Sequence, residues 1–117
     1  MFLRGSVVWA EFGQGTGSEA AKRRPAVVVS NNGANLSAWQ GGQGVVTIVP
    51  LTSASRRRYN FQVSIPAAQS GLTKDSIAQA EQVRSVDVRR LTATSVVLGD
   101  SVMGEISRAL RLHLGLF

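Results

Sequence analysis

Residues Gly17 to Asn32 read G-S-E-A-A-K-R-R-P-A-V-V-V-S-N-N. The run Ala26 to Val29 has the apolar, β-branched composition of a buried strand. Pro25 fixes φ and removes a backbone donor at its entrance. Ahead of it stand three consecutive cations, Lys22, Arg23 and Arg24, and ahead of those the carboxylate Glu19 on a turn of Gly17 and Ser18. The stretch predicts a charged loop anchored on a rigid strand, the setting in which binding and catalytic side chains concentrate.

The pattern continues outward in both directions. Phe2 to Phe12 reads as a first strand, with Val8, Ala10 and Phe12 on one face and Val7, Trp9 and Glu11 on the other. Trp9 is read as a core residue. Gly13, Gly15 and Gly17 alternate in the loop that follows and read as flexibility, since no Lys-Ser/Thr of a phosphate loop follows them. Pro25 to Ser30 is the second strand, Asn31 to Gly44 a loop rich in Asn, Gly, Ser and Gln, and Val45 to Leu51 the third strand. A polar hairpin-like connection leads to a fourth strand, Arg57 to Ile65, in which Tyr59, Phe61, Val63 and Ile65 alternate. Gly71 to Asp75 reads as a turn, Ser76 to Val86 as a fifth strand, Asp87 to Leu91 as one helical turn, and Thr92 to Leu98 as a β-branched strand. The chain then changes period. Asp100 or Ser101 can cap a helix to about Leu114, with Val102, Ile106, Ala109, Leu110 and Leu114 as its buried stripe. Arg108 and Arg111 lie off that stripe. Five or six short strands and one amphipathic helix predict a mainly β fold, a strongly curved antiparallel sheet or small barrel with the helix packed on it.

Composition bounds the possibilities. The chain has 117 residues, 44% hydrophobic and 17% charged, which predicts a single folded domain over residues 1–117. There are 13 Lys and Arg against 7 Asp and Glu, for a net charge of +6. Only Lys22 and Lys74 are lysine. Arginine binds planar phosphate oxygens bidentately, so this bias favours a polyanionic partner. There are no cysteines and one histidine, His113, which excludes disulfides and leaves a transition-metal site without ligands. No cofactor is expected, and His113 reads as a structural or interface residue. A chain without cysteine fits the cytoplasm. No apolar run approaches the roughly 20 residues of a membrane helix, and no membrane association is expected.

What remains is carboxylate, guanidinium and hydroxyl chemistry. Glu19, Arg24 and Thr52 are the candidates, flanked by the clusters Lys22-Arg23-Arg24 and Arg56-Arg57-Arg58. That set is sufficient for RNA cleavage. RNA carries its own nucleophile, the 2′-hydroxyl, and the protein must align it and stabilise charge on the phosphorane oxygens. Each residue also has a plainer reading. Glu19 can be a solvated loop acid or pair with Lys22 or Arg23, Arg24 can rim the barrel, Thr52 is a good strand residue, and the arginine run can be a solvated hairpin tip. Trp39 reads either as a stacking residue or as a side chain packed down on the barrel.

The chain resembles the MazF/PemK (Kid-like) family of toxin endoribonucleases. The resemblance is carried by R-G-S-V-V-W at 4–9, G-S-E-A at 17–20, R-R-P-A-V-V-V-S-N at 23–31, V-P-L-T-S at 49–53, D-S-I-A-Q-A-E-Q-V-R-S-V-D at 75–87, R-L at 90–91 and A-L-R-L-H-L-G-L at 109–116. It implies an SH3-like, partly open β-barrel with a C-terminal helix, acting as a symmetric homodimer. It implies the toxin of a type II toxin–antitoxin pair, cleaving single-stranded RNA such as mRNA at short sequences without metal, and neutralised by an acidic, MazE-like antitoxin. By resemblance Arg24 matches the catalytic arginine, Thr52 the catalytic hydroxyl and Glu19 an acidic residue important in some members. Gln82 and Arg84 fall near the groove of the dimer, and Lys22, Arg23, Arg56, Arg57 and Arg58 are candidate RNA contacts. The chain departs from the pattern at G-Q-G-T, 13–16, where Asp-Pro-Thr is common, and at Ala20, where Gln is usual. Two other readings remain: a non-enzymatic, CcdB-like gyrase poison on the same barrel, and a general nucleic-acid-binding barrel.

Overall fold

The computed structural model describes residues 1–13, 23–54 and 59–117. Its strands are β1 (Ser6–Glu11), β2 (Arg23–Val28), β3 (Val45–Ser53), β4 (Gln62–Ile65), β5 (Ser76–Gln79), β6 (Arg84–Asp87) and β7 (Leu91–Val97). Its helices are α1 (Asn32–Gly41), α2 (Ala67–Ser70) and α3 (Asp100–Leu114). The strands form one antiparallel sheet in the order β4-β5-β3-β2-β1-β7, with β6 paired to β3 beside this path. The sheet is open and mainly β with a C-terminal helix, as the alternation predicts.

Successive strand residues point to opposite faces, and here each face has its own core. Val7, Val27, Val49, Leu51, Val63, Ile65 and Ala78 pack under α3 with Val102, Met103, Ile106 and Ala109. Val8, Ala10, Ala26, Val28, Val46 and Ile48 pack on the other face with Phe2, Val86, Val88 and Ala38 of α1. Strand segments buried on both faces read as apolar runs, as at residues 26–28 and 48–51.

Several expectations are corrected. Residues 32–41 form a helix, not a loop. The Asn31 side chain accepts a hydrogen bond from the Ala34 amide at 2.8 Å and caps it, and Gly42, at φ 64°, ends it. Buried Asn35 donates to the Ser30 carbonyl at 3.0 Å, and the Ser30 hydroxyl accepts from the Thr47 amide at 3.1 Å. That polar network, together with buried Ala38, docks α1 on β3 and on the segment after β2. The fifth strand expected over 76–86 is two strands separated by a 3₁₀ turn, Ala80–Gln82. β5 pairs with the C-terminal half of β3 and β6 with its N-terminal half, so the turn moves the chain along one long partner. β1 and β4 are shorter than expected, and α2 falls in a stretch the alternation left unassigned. The expected helical turn is a 3₁₀ turn, Val88–Arg90. Gly99, not Asp100 or Ser101, occupies the cap position of α3, and Asp100 lies in its first turn, where a carboxylate meets the positive end of the helix dipole. Leu114, expected in the buried stripe, is 52% exposed.

Candidate active site

The face that carries the α1-side core turns polar at one end of the sheet. Ala26 lies opposite Pro50 at the end of the β2–β3 ladder, and alternation along each strand puts Arg24 and Thr52, two residues beyond them, on that same face. Thr52 in turn pairs with Ile77 on β5, and Gln79, two residues further along β5, pairs with Gln62 on β4. Arg24, Thr52, Gln79 and Gln62 therefore share one face of four neighbouring strands. Sheet curvature turns the ends of these strands into a concave wall, and hydroxyl, amide and guanidinium groups replace Val and Ile there.

The Arg24 guanidinium is half-buried and held. Its Nη2 donates to Gln79 Oε1 at 3.0 Å and to the Leu51 carbonyl at 3.4 Å. Phe12 lies 5.9 Å from it, ring centroid to guanidinium carbon, and the Arg84 guanidinium sits 4.9 Å from the same ring. One aromatic ring thus gathers two arginines from strands β2 and β6. Thr52, Gln62, Gln79 and Gln82 line a cavity of about 370 Å³ with Tyr59, Ile77 and Glu81. Tyr59 and Phe61 stack beside it, centroids 5.4 Å apart and planes 2° from parallel. The Gln62 amide accepts from the Tyr59 backbone at 3.0 Å and donates to Glu81 Oε2 at 2.7 Å.

A larger cavity, about 480 Å³, adjoins Arg24 and Thr52 from the opposite side, between Trp9, Pro25, Leu72, Thr94 and Val96. Thr52 lines both cavities, and the alternation of β3 and β5 puts its side chain and that of Gln79 on the face of the smaller one. Trp9 is half-buried on the wall of the larger cavity instead of in the core, and Arg23 covers its ring at 5.1 Å. Arg23 and Arg24, adjacent in sequence, thus serve opposite faces. Trp39 packs its edge on Phe2 at 5.4 Å and remains 49% exposed.

Among the predicted site residues, the fold brings together Arg24, Thr52, Gln82 and Arg84 and separates Arg23 from them. Glu19, Lys22, Arg56, Arg57 and Arg58 lie outside the described residues. Sequence reasoning missed Phe12, Gln62, Gln79 and Glu81. The available signal was the glutamines inside otherwise apolar strands, since a buried amide needs a partner. Among the described residues, no group of three or more His, Cys, Asp or Glu side chains is arranged to hold a metal ion, and no helix is long and apolar enough to cross a membrane.

The comparisons with known proteins agree with this architecture. Residues 3–114 match the family described as the PemK-like, MazF-like toxin of type II toxin–antitoxin systems. The chain is 42% identical to endoribonuclease MazF9 of Mycobacterium tuberculosis (strain ATCC 25618 / H37Rv) over 117 residues, covering 100% of this chain and 99% of the relative. An endoribonuclease in complex with its cognate antitoxin from a mycobacterial species superposes with a TM-score of 0.76 at 26% identity, covering 100% of this chain and 98% of that one. A MazE–MazF complex from Deinococcus radiodurans superposes at 0.73 with 30% identity, covering 98% and 97%. With nearly its whole length matched, the chain belongs to the PemK-like, MazF-like family of type II toxins.

Proposed function

We propose that the chain is an endoribonuclease toxin that cleaves single-stranded RNA without a metal ion. The observation that carries this reading is the register that sets Arg24 and Thr52 on one face of adjoining strand ends, beside a cavity of about 370 Å³. In the reaction the ribose 2′-oxygen attacks the adjacent phosphorus and loses its proton. The P–O5′ bond breaks and the departing oxygen takes up a proton. The products carry a 2′,3′-cyclic phosphate and a 5′-hydroxyl.

Arg24 acts by electrostatics. Its guanidinium is a cation with donors only, so it stabilises the charge building on the phosphorane oxygens rather than serving as a base. Thr52 donates its hydroxyl to a non-bridging oxygen of the same phosphate. Glu19 takes the 2′-proton. Arg84, on the rim, binds a neighbouring phosphate, and the exposed Gln82 contacts a base or ribose. MazF9, of the same family, is an endoribonuclease, and the antitoxin complexes of the structural neighbours support an acidic, MazE-like antitoxin as partner. A homodimer would cover the apolar end of α3, where Leu112, Leu114 and Leu116 are exposed.

The test is incubation of purified protein with a long mixed-sequence RNA in excess EDTA. Discrete fragments ending in cyclic phosphate are expected. RNA left intact, with inhibition of gyrase supercoiling instead, overturns the proposal.

A further inference from the structure

A half-buried arginine is most strongly held by a carboxylate, because the planar fork matches two carboxylate oxygens. Arg24 has no such partner among the described residues. Its Nη2 donates to the neutral amide oxygen of Gln79 at 3.0 Å and to the Leu51 carbonyl at 3.4 Å. A carboxylate does stand on the same wall. Glu81 lines the cavity with Gln79, but its Oε2 is taken by the Gln62 amide at 2.7 Å. Its Oε1 is buried with no hydrogen-bond partner, and among the described residues no guanidinium reaches it. Gln62 and Gln79 are direct neighbours across the β4–β5 ladder. The two amides divide the charged groups between them, one taking the cation and the other the anion.

The electrostatic consequence follows. A carboxylate against Arg24 would cancel the charge on which phosphate stabilisation depends. An amide oxygen fixes the guanidinium and leaves that charge whole. Gln79 is only 8% exposed and sits in the ladder, so its orientation is set on folding and not at the moment of reaction. With Nη2 engaged, the remaining N–H groups of the fork are available to a phosphate.

We propose that Gln79 is the positioning residue of this site: it orients Arg24 through a neutral acceptor, so that the guanidinium meets the phosphate aligned and uncompensated. The inference rests on the reading of Arg24 as the phosphate-stabilising cation.

The test compares the parent protein, Gln79→Met and Gln79→Glu, each with the full chain and checked by thermal unfolding. The substrate is a short RNA with one mapped cleavage site, and its 2′-deoxy analogue at that nucleotide reports binding without reaction. Methionine keeps the length and removes the acceptor. Its kcat is expected to fall about 10- to 100-fold through misalignment, with KM and the Kd of the analogue within about twofold of the parent. In an Arg24→Lys background the same substitution should change kcat by less than about twofold, because the group being positioned is gone. Glutamate keeps an acceptor but cancels charge, so it should weaken binding of the analogue several-fold, which methionine does not. It is also the variant that carries the test if the methionine protein does not fold.

A Gln79→Met protein that cleaves like the parent overturns the inference alone. So does an equal loss in both backgrounds, which marks a structural residue, and so does a Gln79→Glu protein that binds and cleaves like the parent. A parent that leaves the RNA intact overturns the functional reading, and this inference with it.

Discussion

Two arginine sites in this molecule solve opposite problems. At the 3₁₀ turn after β6, Arg89 closes on Asp87, with Nε at 3.0 Å from Oδ1 and Nη2 at 2.7 Å from Oδ2. The pair is local, two residues apart, and Arg89 is 73% exposed. The Arg89 guanidinium holds the Asp87 carboxyl down to about 2 from its ordinary 3.8, and Asp87 raises Arg89 in return. At the strand ends, Arg24 is half-buried and held by groups 27 and 55 residues away, neither of them charged. The first site spends its cation on a turn, and the second keeps its cation available. A count of arginines cannot distinguish the two, but their acceptors do.

The largest expected effect is on the second site. Arg24→Ala should lower RNA cleavage at least about 10³-fold, the scale of losing a preorganised charge in a transition state. Thermal unfolding should move little, because the strand's apolar residues remain. Cleavage near the parent rate would end the contrast between the two sites. Thr52→Val keeps the β-branched shape and removes the hydroxyl, and kcat should fall about 10- to 100-fold with the sheet intact.

Arg84 lies between the two extremes, exposed but stacked on the same ring as Arg24. Arg84→Ala should raise KM several-fold at unchanged kcat and flatten the salt dependence of RNA binding by about 0.7 in log–log slope, one phosphate contact on a single strand. An unchanged slope would reassign Arg84 to packing.

The smallest effect is at the turn. Because the folded Asp87 carboxyl titrates near 2 and the unfolded one near 3.8, its contribution to stability is complete above about pH 4 and disappears as pH falls toward 2. Asp87→Asn should lower the thermal midpoint slightly at neutral pH, and the difference from the parent should close over that acid range. Since the pair is exposed, salt should shrink it as well. A large midpoint shift that acid and salt both leave in place would mean that the turn bears on the fold through something other than this pair.

Local signals exposed most of the sheet. The apolar runs of β2 and β3 and the 3.6-residue period of α3 are properties of neighbouring residues, so they are written in the chain. The family motifs likewise pointed to Arg24, Thr52, Gln82 and Arg84, which the fold places near one another. What misled was composition standing in for tertiary contact. The Asn- and Gly-rich stretch at 32–41 has little apolar periodicity, yet a capping Asn31 and the Ser30–Asn35–Thr47 network hold it helical. Trp9, apolar by type, lines a cavity with Arg23 over its ring. Leu114 follows the helical stripe but extends beyond the surface that the sheet can cover.

The order of residues by itself determined most of the strands, the terminal helix, the excess of positive charge and the guanidinium and hydroxyl near strand ends, because propensity, period and motif depend on short spans of chain. Only the tertiary structure decided that Arg23 and Arg24 face opposite ways across the curled sheet, that Phe12 gathers Arg24 and Arg84, and that Gln79 rather than Glu81 holds the arginine. Those outcomes depend on the register between strands tens of residues apart, and register is a property of the folded sheet.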